Sequence, residues 1–300
     1  PILNIRFLAF AIVVALVSGL AFWFGRARDC LTEYEAYVFQ NLLIAANVVA
    51  LWTLSQEIIH YFGSLDVRNE SDYFSAMHLS LTILWAIYGS VVVSVGLVRQ
   101  QSMVRWAGLG LLSLATVKLI GFDALELHLD PLTFIPVLNI RFLAFVIVLA
   151  LASGLAFWFG RARNRLTQEE AYVFPALLVA ANIVALWTLS QEVIHLFDSL
   201  SLKNDDTYFN STHLSLTVLW AVYSIGVIGA GIAARSRWVR LAGIGLLAIP
   251  VAKLFVFDVF LLDMEYRVAA FLTLGVLLLA MGLVYQRYSQ AVRGFVLGRH

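Results

Sequence analysis

The stretch LSLTILWAIYGSVVVSVGLV, residues 79–98, contains no charged side chain along its whole length. At about 1.5 Å per helical residue, such a run is long enough to cross a hydrocarbon core of about 30 Å. Similar runs recur along the chain, in which hydrophobic residues make up 61% and charged residues 13% of 300 positions. Soluble domains carry about 25% charged residues. The sequence therefore predicts an all-α, polytopic integral membrane protein.

This stretch belongs to a unit that occurs twice. HLSLTILWAIY at 78–88 returns as HLSLTVLWAVY at 213–223, and PILNIRFLAF at Pro1 returns with the same offset as PVLNIRFLAF at Pro136. MEYRVAAF at Met264 resembles the start of the unit once more. Repeats of this kind indicate one structural unit placed beside its copy. We expect a first four-helix transmembrane repeat at 1–135, a second at 136–263, and at 264–300 a ninth helix that starts a third repeat, with a basic cytoplasmic tail.

About nine transmembrane helices follow from the apolar runs. The predicted spans cover about 3–25, 36–62, 73–98, 104–122, 138–160, 171–197, 208–233, 239–257 and 266–286. Because each repeat holds an even number of spans, both copies point the same way across the membrane. The sequence thus predicts two tandem parallel four-helix repeats plus one extra helix.

The charged loops predict the orientation. Arginine is concentrated in one set of loops, around 26–28, 99–105, 161–165 and 235–240, whereas the opposite loops are acidic, as in DVRNESD at 66–72 and LKNDD at 202–206. Basic loops face the cytoplasm. We predict a multi-pass protein of the bacterial plasma (inner) membrane, with Pro1 outside and the C-terminus in the cytoplasm. The chain has no initiator methionine, so we expect it to be part of a longer protein.

Ionisable side chains lie inside the predicted spans, near their outer ends. LWTLSQEIIH at 51–60 and LWTLSQEVIH at 186–195 each place a glutamate three residues before a histidine, on one helix face. A charge in hydrocarbon costs at least about 2.5 kcal/mol, so these groups should face one another, with cations on adjacent helices neutralising the glutamate. We predict one buried polar cluster per repeat, made of Arg6, Glu57, His60, His78, Lys118 and Asp123, and of Arg141, Glu192, His195, His213, Lys253 and Asp258.

Three interpretations of these clusters stay open. They are a structural network that fixes helix packing, a site for a headgroup, sugar, ion or proton, or a metal site. Glu-x-x-His is the spacing of di-metal helical bundles. Each unit supplies only one such motif, however, and its lysine and arginine would repel a metal ion. We therefore predict no metal ion and no cofactor.

Other polar and small residues predict helix packing. The indoles of Trp52, Trp85, Trp187 and Trp220 should pack between helices, and Asn47 and Asn182 should be buried amides with interhelical hydrogen bonds. Close helix contacts are expected at Gly108, Gly110, Gly226, Gly229 and Gly231. The single cysteine, Cys30, is replaced by Arg165 in the second copy, which argues against thiol chemistry. The chain has no nucleotide-binding loop, nucleophile elbow or nucleic-acid patch.

A family resemblance rests on residues 241–287, where KLFVFD is followed by YRV. This region resembles the end of the large bacterial predicted membrane proteins grouped as domain of unknown function 2339. HLSLTVLWAVYSIGVIGAGI at 213–232 resembles the Trp-Ala-x-Tyr helix of the same family. Members are typically longer, with more spans, so the resemblance implies a C-terminal portion. It implies a fold and no catalytic residues.

We expect an envelope membrane protein that is transport-type, or that handles lipid or glycan at the outer leaflet through the two clusters, and that is not an enzyme. One alternative is a structural or assembly subunit of a larger membrane complex. The other is an intramembrane enzyme that uses Glu57/His60 and Glu192/His195 as metal ligands or acid–base groups. The expected partners are membrane lipids and other subunits of a membrane complex, and no nucleic acid.

Overall fold

The computed structural model describes residues 12, 19, 33–65, 70–124, 135–162, 166–200, 205–234 and 236–287. Every regular element in these ranges is helical. The chain divides into two compact units, Pro1–His128 and Leu129–His300. Each unit is described separately below.

The described part of the first unit consists of three long helices. They are α1 (Glu33–Gly63), α2 (Glu70–Val98) and α3 (Ser102–Lys118), and α3 continues into a π-helical turn, Leu119–Asp123. Since only residues 99–101 separate α2 from α3, the two helices lie side by side and antiparallel. The predicted first span, at about 3–25, falls almost wholly outside the described residues.

The described part of the second unit contains five long helices. They are α4 (Ile140–Arg161), α5 (Val173–Ser199), α6 (Asp205–Ala233), α7 (Arg237–Lys253) and α8 (Met264–Arg287). A short 3₁₀ turn, Glu170–Tyr172, leads into α5, and a π-helical turn, Leu254–Asp258, follows α7. Helix α8 packs on α6, where Ala270 and Leu274 bury their side chains against Ala221 and Leu254. This packing buries one face of α6.

Seven of the described helices are long and apolar enough to cross a membrane. They lie at Tyr73–Val98, Ser102–Asp123, Ile140–Arg161, Glu170–Ser199, Asp205–Ala233, Arg237–Leu261 and Met264–Leu283. The 31-residue helix α1 is not among these seven. Large apolar side chains remain exposed along the spans, as at Val98, Leu279 and Phe260. The described helices agree with the prediction of an all-helical, polytopic membrane protein.

Glycines let the antiparallel pairs approach closely. A Cβ on Gly96 would lie 2.7 Å from the Arg105 backbone nitrogen, and one on Gly108 would lie 2.6 Å from that of Val93. The second unit repeats this arrangement with Gly231 against Arg240 and Gly243 against Ile228. Of the five glycines predicted to make close contacts, Gly108 and Gly231 do so. Gly110, Gly226 and Gly229 face open space, and the prediction for them is wrong because they lie on other helix faces.

Candidate functional site

A buried ion pair lies where α3 passes into its π-helical turn. The Lys118 ammonium group has three N–H donors, and each has an acceptor. These acceptors are Asp123 Oδ1 at 2.6 Å, Thr82 Oγ1 at 2.7 Å and the His78 carbonyl oxygen at 3.0 Å. The Thr82 hydroxyl in turn donates to Asp123 Oδ2 at 2.5 Å. The four residues therefore form a closed network between α2 and α3.

The second unit has the same network at the equivalent positions of the repeat. Lys253 Nζ donates to Asp258 Oδ1 at 2.6 Å, to Thr217 Oγ1 at 2.7 Å and to the His213 carbonyl oxygen at 3.1 Å. Thr217 donates to Asp258 Oδ2 at 2.7 Å. The two networks have the same partners, and the lysine–aspartate distance is 2.6 Å in both. The same arrangement therefore occurs in both units.

The π-helical turn makes the ion pair possible. Lysine and aspartate are five residues apart in both units, and at 3.6 residues per turn such residues lie about 140° apart around an α-helix. A π-helix closes its hydrogen bonds between residues five apart, so residue i+5 comes back over residue i. Leu119–Asp123 and Leu254–Asp258 form such turns. Each carboxylate is thereby brought to its lysine on one helix face.

Burial makes this pairing necessary. Asp123 is fully buried and Asp258 nearly so, while the lysine side chains keep only 15% and 12% of their surface exposed. A buried charge is tolerated only when a counter-charge and further hydrogen bonds satisfy it. Here the ammonium uses every donor, and each carboxylate oxygen accepts at least one bond. The network is electrically neutral and leaves no lysine donor for another ligand.

A cavity of about 690 Å³ adjoins the ion pair of the second unit. Its walls come from α6, α7 and the π-helical turn, and Lys253, Asp258 and His213 are its charged or titratable residues. The other lining residues are apolar or aromatic: Phe209, Trp220, Ala248, Ile249, Ala252, Val256, Phe257, Leu261 and Leu262. From Phe209 to Trp220 the cavity follows eleven residues of α6, about 17 Å at 1.5 Å per residue. It is an elongated, open-sided apolar cavity with a polar patch in its wall, since the lining residues Val256, Phe257 and Leu261 are each more than half exposed.

Comparison with known proteins supports the family resemblance. The model of the family described as Predicted membrane protein (DUF2339) matches residues 125–288, more than half of the chain. The chain belongs to the DUF2339 family. The matched region contains α4 to α8, the second ion pair and the cavity. No curated protein and no solved structure matched the chain.

Glu192 of this DUF2339 protein contacts the residues at the start of α4. Its carboxylate accepts hydrogen bonds from Asn139 Nδ2, at 2.9 Å and 3.1 Å, and from the Val137 N–H at 2.8 Å. Val137 has a φ of 67°, a conformation that β-branched residues rarely adopt. The buried Arg141 lies close enough to Glu192 for an electrostatic interaction. Glu192 therefore binds the segment that precedes α4 through its backbone and side-chain N–H groups.

The predicted residues of the second unit meet at three carboxylates, those of Asp258, Glu192 and Asp198. Lys253, Asp258 and the His213 carbonyl form one group, and Glu192 forms another with Asn139. His195 Nδ1 lies 3.5 Å from Asp198, which also accepts from the Tyr208 hydroxyl at 2.6 Å. Lys253 thus has Asp258, five residues further along the same helix, as its counter-ion, and Arg141 of the predicted cluster interacts with Glu192.

The predicted residues of the first unit are placed only in part. Lys118, Asp123 and the His78 carbonyl come together as described. Glu57 and His60 lie in the last two turns of α1. Arg6 lies outside the described residues.

Polar contacts of the aromatic residues were missed by the sequence analysis. Trp85 and Trp220 were expected only to pack, but their indole N–H groups donate to Ser55 and Ser190 at 3.0 Å and 2.8 Å. The interhelical hydrogen bonds expected at Asn47 and Asn182 are confirmed. Their side-chain oxygens accept from Tyr88 and Tyr223, although Asn47 is exposed instead of buried. The His-x3-Thr-x2-Trp-x2-Tyr spacing, which recurs in both units, was the sequence signal that could have indicated these tryptophan and tyrosine hydrogen bonds.

Metal chemistry finds no support in this part of the family fold. Among the residues that the structure describes, no three His, Cys, Asp or Glu side chains come close enough together to hold a metal ion. The two Glu-x-x-His motifs lie on different units, and Glu192 is engaged by Asn139 and Val137. The ion pairs and the cavity are therefore the candidate functional features of the described residues.

Proposed function

We propose that this DUF2339 protein binds and handles a lipid at the outer leaflet, with the hydrocarbon chain in the cavity of the second unit. The observation that carries this proposal is the cavity itself, about 690 Å³ and lined almost entirely by apolar side chains. Ligand sites typically enclose about 300–1,000 Å³ and combine apolar walls with a few placed polar groups. An acyl or isoprenoid chain matches the elongated shape.

The ion pair supports a binding role for the cavity wall. Because Lys253 donates all three of its hydrogen bonds within the unit, it offers a neutral polar surface and not a free cation. The His213 ring lies beside Phe209, with ring centroids 4.2 Å apart, and both line the same cavity. Such a wall suits the ester or ether region of a lipid, next to its chain, better than a phosphate.

The proposed membrane arrangement completes this function. It consists of nine spans in two parallel four-helix repeats plus one helix, in the bacterial inner membrane, with the Pro1 end outside and the C-terminus in the cytoplasm. The arginine-rich and acidic loops support the orientation. The two ion pairs, at equivalent positions of the two copies, support the repeats. Both ion pairs would then lie near the outer surface, within reach of outer-leaflet lipid.

A scaffold within a larger membrane complex is the second candidate. The closed hydrogen-bond networks favour it, since two of the three donors of each lysine join α2 to α3 or α6 to α7. A scaffold needs these bonds for packing and has no need of the cavity. The two candidate functions therefore predict different effects of filling the cavity alone: lipid binding should be lost, whereas a scaffold should be unaffected.

The test uses a phosphatidylglycerol with a photoreactive diazirine in one acyl chain, reconstituted with the purified protein in vesicles. We expect cross-links on residues 248–262. Ala252→Trp should fill the cavity and reduce those cross-links at least tenfold, while the protein remains folded. Val117→Trp is the matched control, because it places the same side chain at the equivalent position of the first unit, on an exposed surface.

Two results would contradict lipid binding in the cavity. One is cross-linking of wild-type protein that spreads evenly over the lipid-exposed faces of all helices. The other is equal cross-linking at 248–262 in wild type and Ala252→Trp. Either result, together with co-purification of further subunits, would favour the scaffold.

A further inference from the structure

The two units hold an equivalent phenylalanine in different positions. In the first unit the Phe122 ring lies 5.0 Å from the His78 ring and 6.5 Å from the Phe74 ring, measured between centroids. Lys118 Nζ lies 5.6 Å from the centre of the same phenyl ring. These distances fall within the ranges of aromatic pairing and cation–π contact. Phe122 therefore covers the ion pair of its unit.

In the second unit Phe257 takes a more open position. It is 56% exposed, compared with 37% for Phe122, and it lines the cavity beside His213 and Lys253. His213 keeps the contact with Phe209 that matches the one between His78 and Phe74, at the same 4.2 Å. Within the described residues, Phe257 has no ring contact with His213. Among the ring contacts around the two histidines, the units therefore differ in the position of this phenylalanine.

We propose that the first unit contains a second lipid-chain site of the same class, which Phe122 keeps closed. This inference rests on the proposed function of the cavity in the second unit. His78, Trp85 and Lys118 stand where His213, Trp220 and Lys253 line that cavity. The first-unit site takes a hydrocarbon chain when the Phe122 ring turns away, and the second-unit site shows the open arrangement.

Local space in the first unit is consistent with such a site. Gly121 replaces the cavity-lining Val256, and a Cβ built on Gly121 would meet no atom within 4 Å. Side-chain rotation about staggered torsions is sufficient to move a phenyl ring without shifting the backbone. The polar part of the wall is already in place, because Lys118 keeps its three bonds to residues other than Phe122.

The experiment uses the same photoreactive phosphatidylglycerol with full-length chain in vesicles. Wild-type protein should give cross-links at 248–262 and few at 113–123. Phe122→Ala should raise cross-linking at 113–123 at least fivefold, leave that at 248–262 unchanged, and increase the bound lipid from one to two per chain in native mass spectrometry. Phe257→Ala is the matched control and should leave cross-linking at 113–123 unchanged.

Further variants keep the test decisive. Phe122→Val, which retains a branched apolar side chain, replaces Phe122→Ala if that variant is not monodisperse. Val117→Trp in the Phe122→Ala background should remove the new cross-links again. Cross-links confined to 248–262 in both Phe122 variants would overturn the second site, as would strong cross-linking at 113–123 in wild type. Loss of all localised cross-links in wild type would instead overturn the proposed function, and this inference with it.

Discussion

Charge neutralisation in each unit is local at the level of single residues. Lys118 and Asp123 lie five residues apart on one helix, as do Lys253 and Asp258. Because the two opposite charges lie on the same helix, they neutralise each other without a counter-charge from a neighbouring helix. Such pairing lowers the cost of placing each charge in hydrocarbon. Each pair therefore adds no net charge to the helix that carries it, α3 in the first unit and α7 in the second.

Asp258→Asn should destabilise the second unit strongly. The substitution removes the counter-ion from Lys253 and leaves a buried ammonium group without compensation, which costs about 3–5 kcal/mol in comparable sites. We expect a lower thermal unfolding midpoint and a lower free energy of unfolding in detergent. Asp123→Asn should have a similar effect in the first unit.

The control removes both charges together. Lys253→Met with Asp258→Leu leaves no unpaired charge, and exchanging a buried ion pair for apolar residues is often neutral in stability. This double variant should recover most of the stability that Asp258→Asn loses. If Asp258→Asn unfolds at the wild-type temperature, the ion pair does not stabilise the fold.

The sequence identified these charged residues but not all of their partners. The repeated Lys-x4-Asp spacing was visible, and Lys118, Asp123, Lys253 and Asp258 were all named as site residues. The pairing within one helix was missed because α-helical geometry separates residues i and i+5 by about 140°. Only a π-helical turn brings them together, and nothing in apolar periodicity indicates such a turn.

At the level of elements, the antiparallel helix pair is the unit that builds the site. Helices α2 and α3, and likewise α6 and α7, approach closely at glycines, and the lysine then reaches across to the neighbouring threonine. Spacing alone does not show which glycines make the contact. Gly108 and Gly110 lie about 200° apart around α3, so only one of them can face α2.

Gly231→Ala should destabilise the α6–α7 pair. The added Cβ would lie 2.7 Å from both the backbone nitrogen and Cγ of Arg240, so the helices must separate. Overpacking of this kind costs about 1–3 kcal/mol, which we expect as a lower free energy of unfolding. Gly245→Ala is the control, because a Cβ there meets no atom within 4 Å. Equal effects of the two substitutions would contradict close packing at Gly231.

At the scale of the whole molecule, composition was sufficient to predict the class of protein. The apolar runs predicted an all-helical membrane protein, and seven described helices fit a membrane span. The count of nine spans, the orientation and the three-region division remain predictions. The span count and the division depend on the first apolar run, most of which lies outside the described residues. The orientation depends on the charges of the loops, and the packing of the helices does not show which side of the membrane each loop faces.

Single cysteines would test this topology. In a Cys30→Ser background, cysteines at Ser64 and Leu200 should react with a membrane-impermeant maleimide on intact spheroplasts. Cysteines at Gln100 and Ala234 should react only after permeabilisation. All four positions lie at helix ends. Reaction at only one of positions 64 and 200 would contradict parallel repeats, whereas a complete reversal would contradict only the orientation.

The wide helical turns also make the chain unusually sensitive to a change of length. Deleting one residue from Leu119–Gly121 would leave the lysine and aspartate four residues apart, where they can still pair on a regular α-helix. It would, however, turn every residue after the deletion by about 100° relative to the helix before it. A conservative point substitution in the same place leaves that angle unchanged. We therefore expect each unit to tolerate substitution of one apolar residue by another in these turns far better than deletion of a single residue.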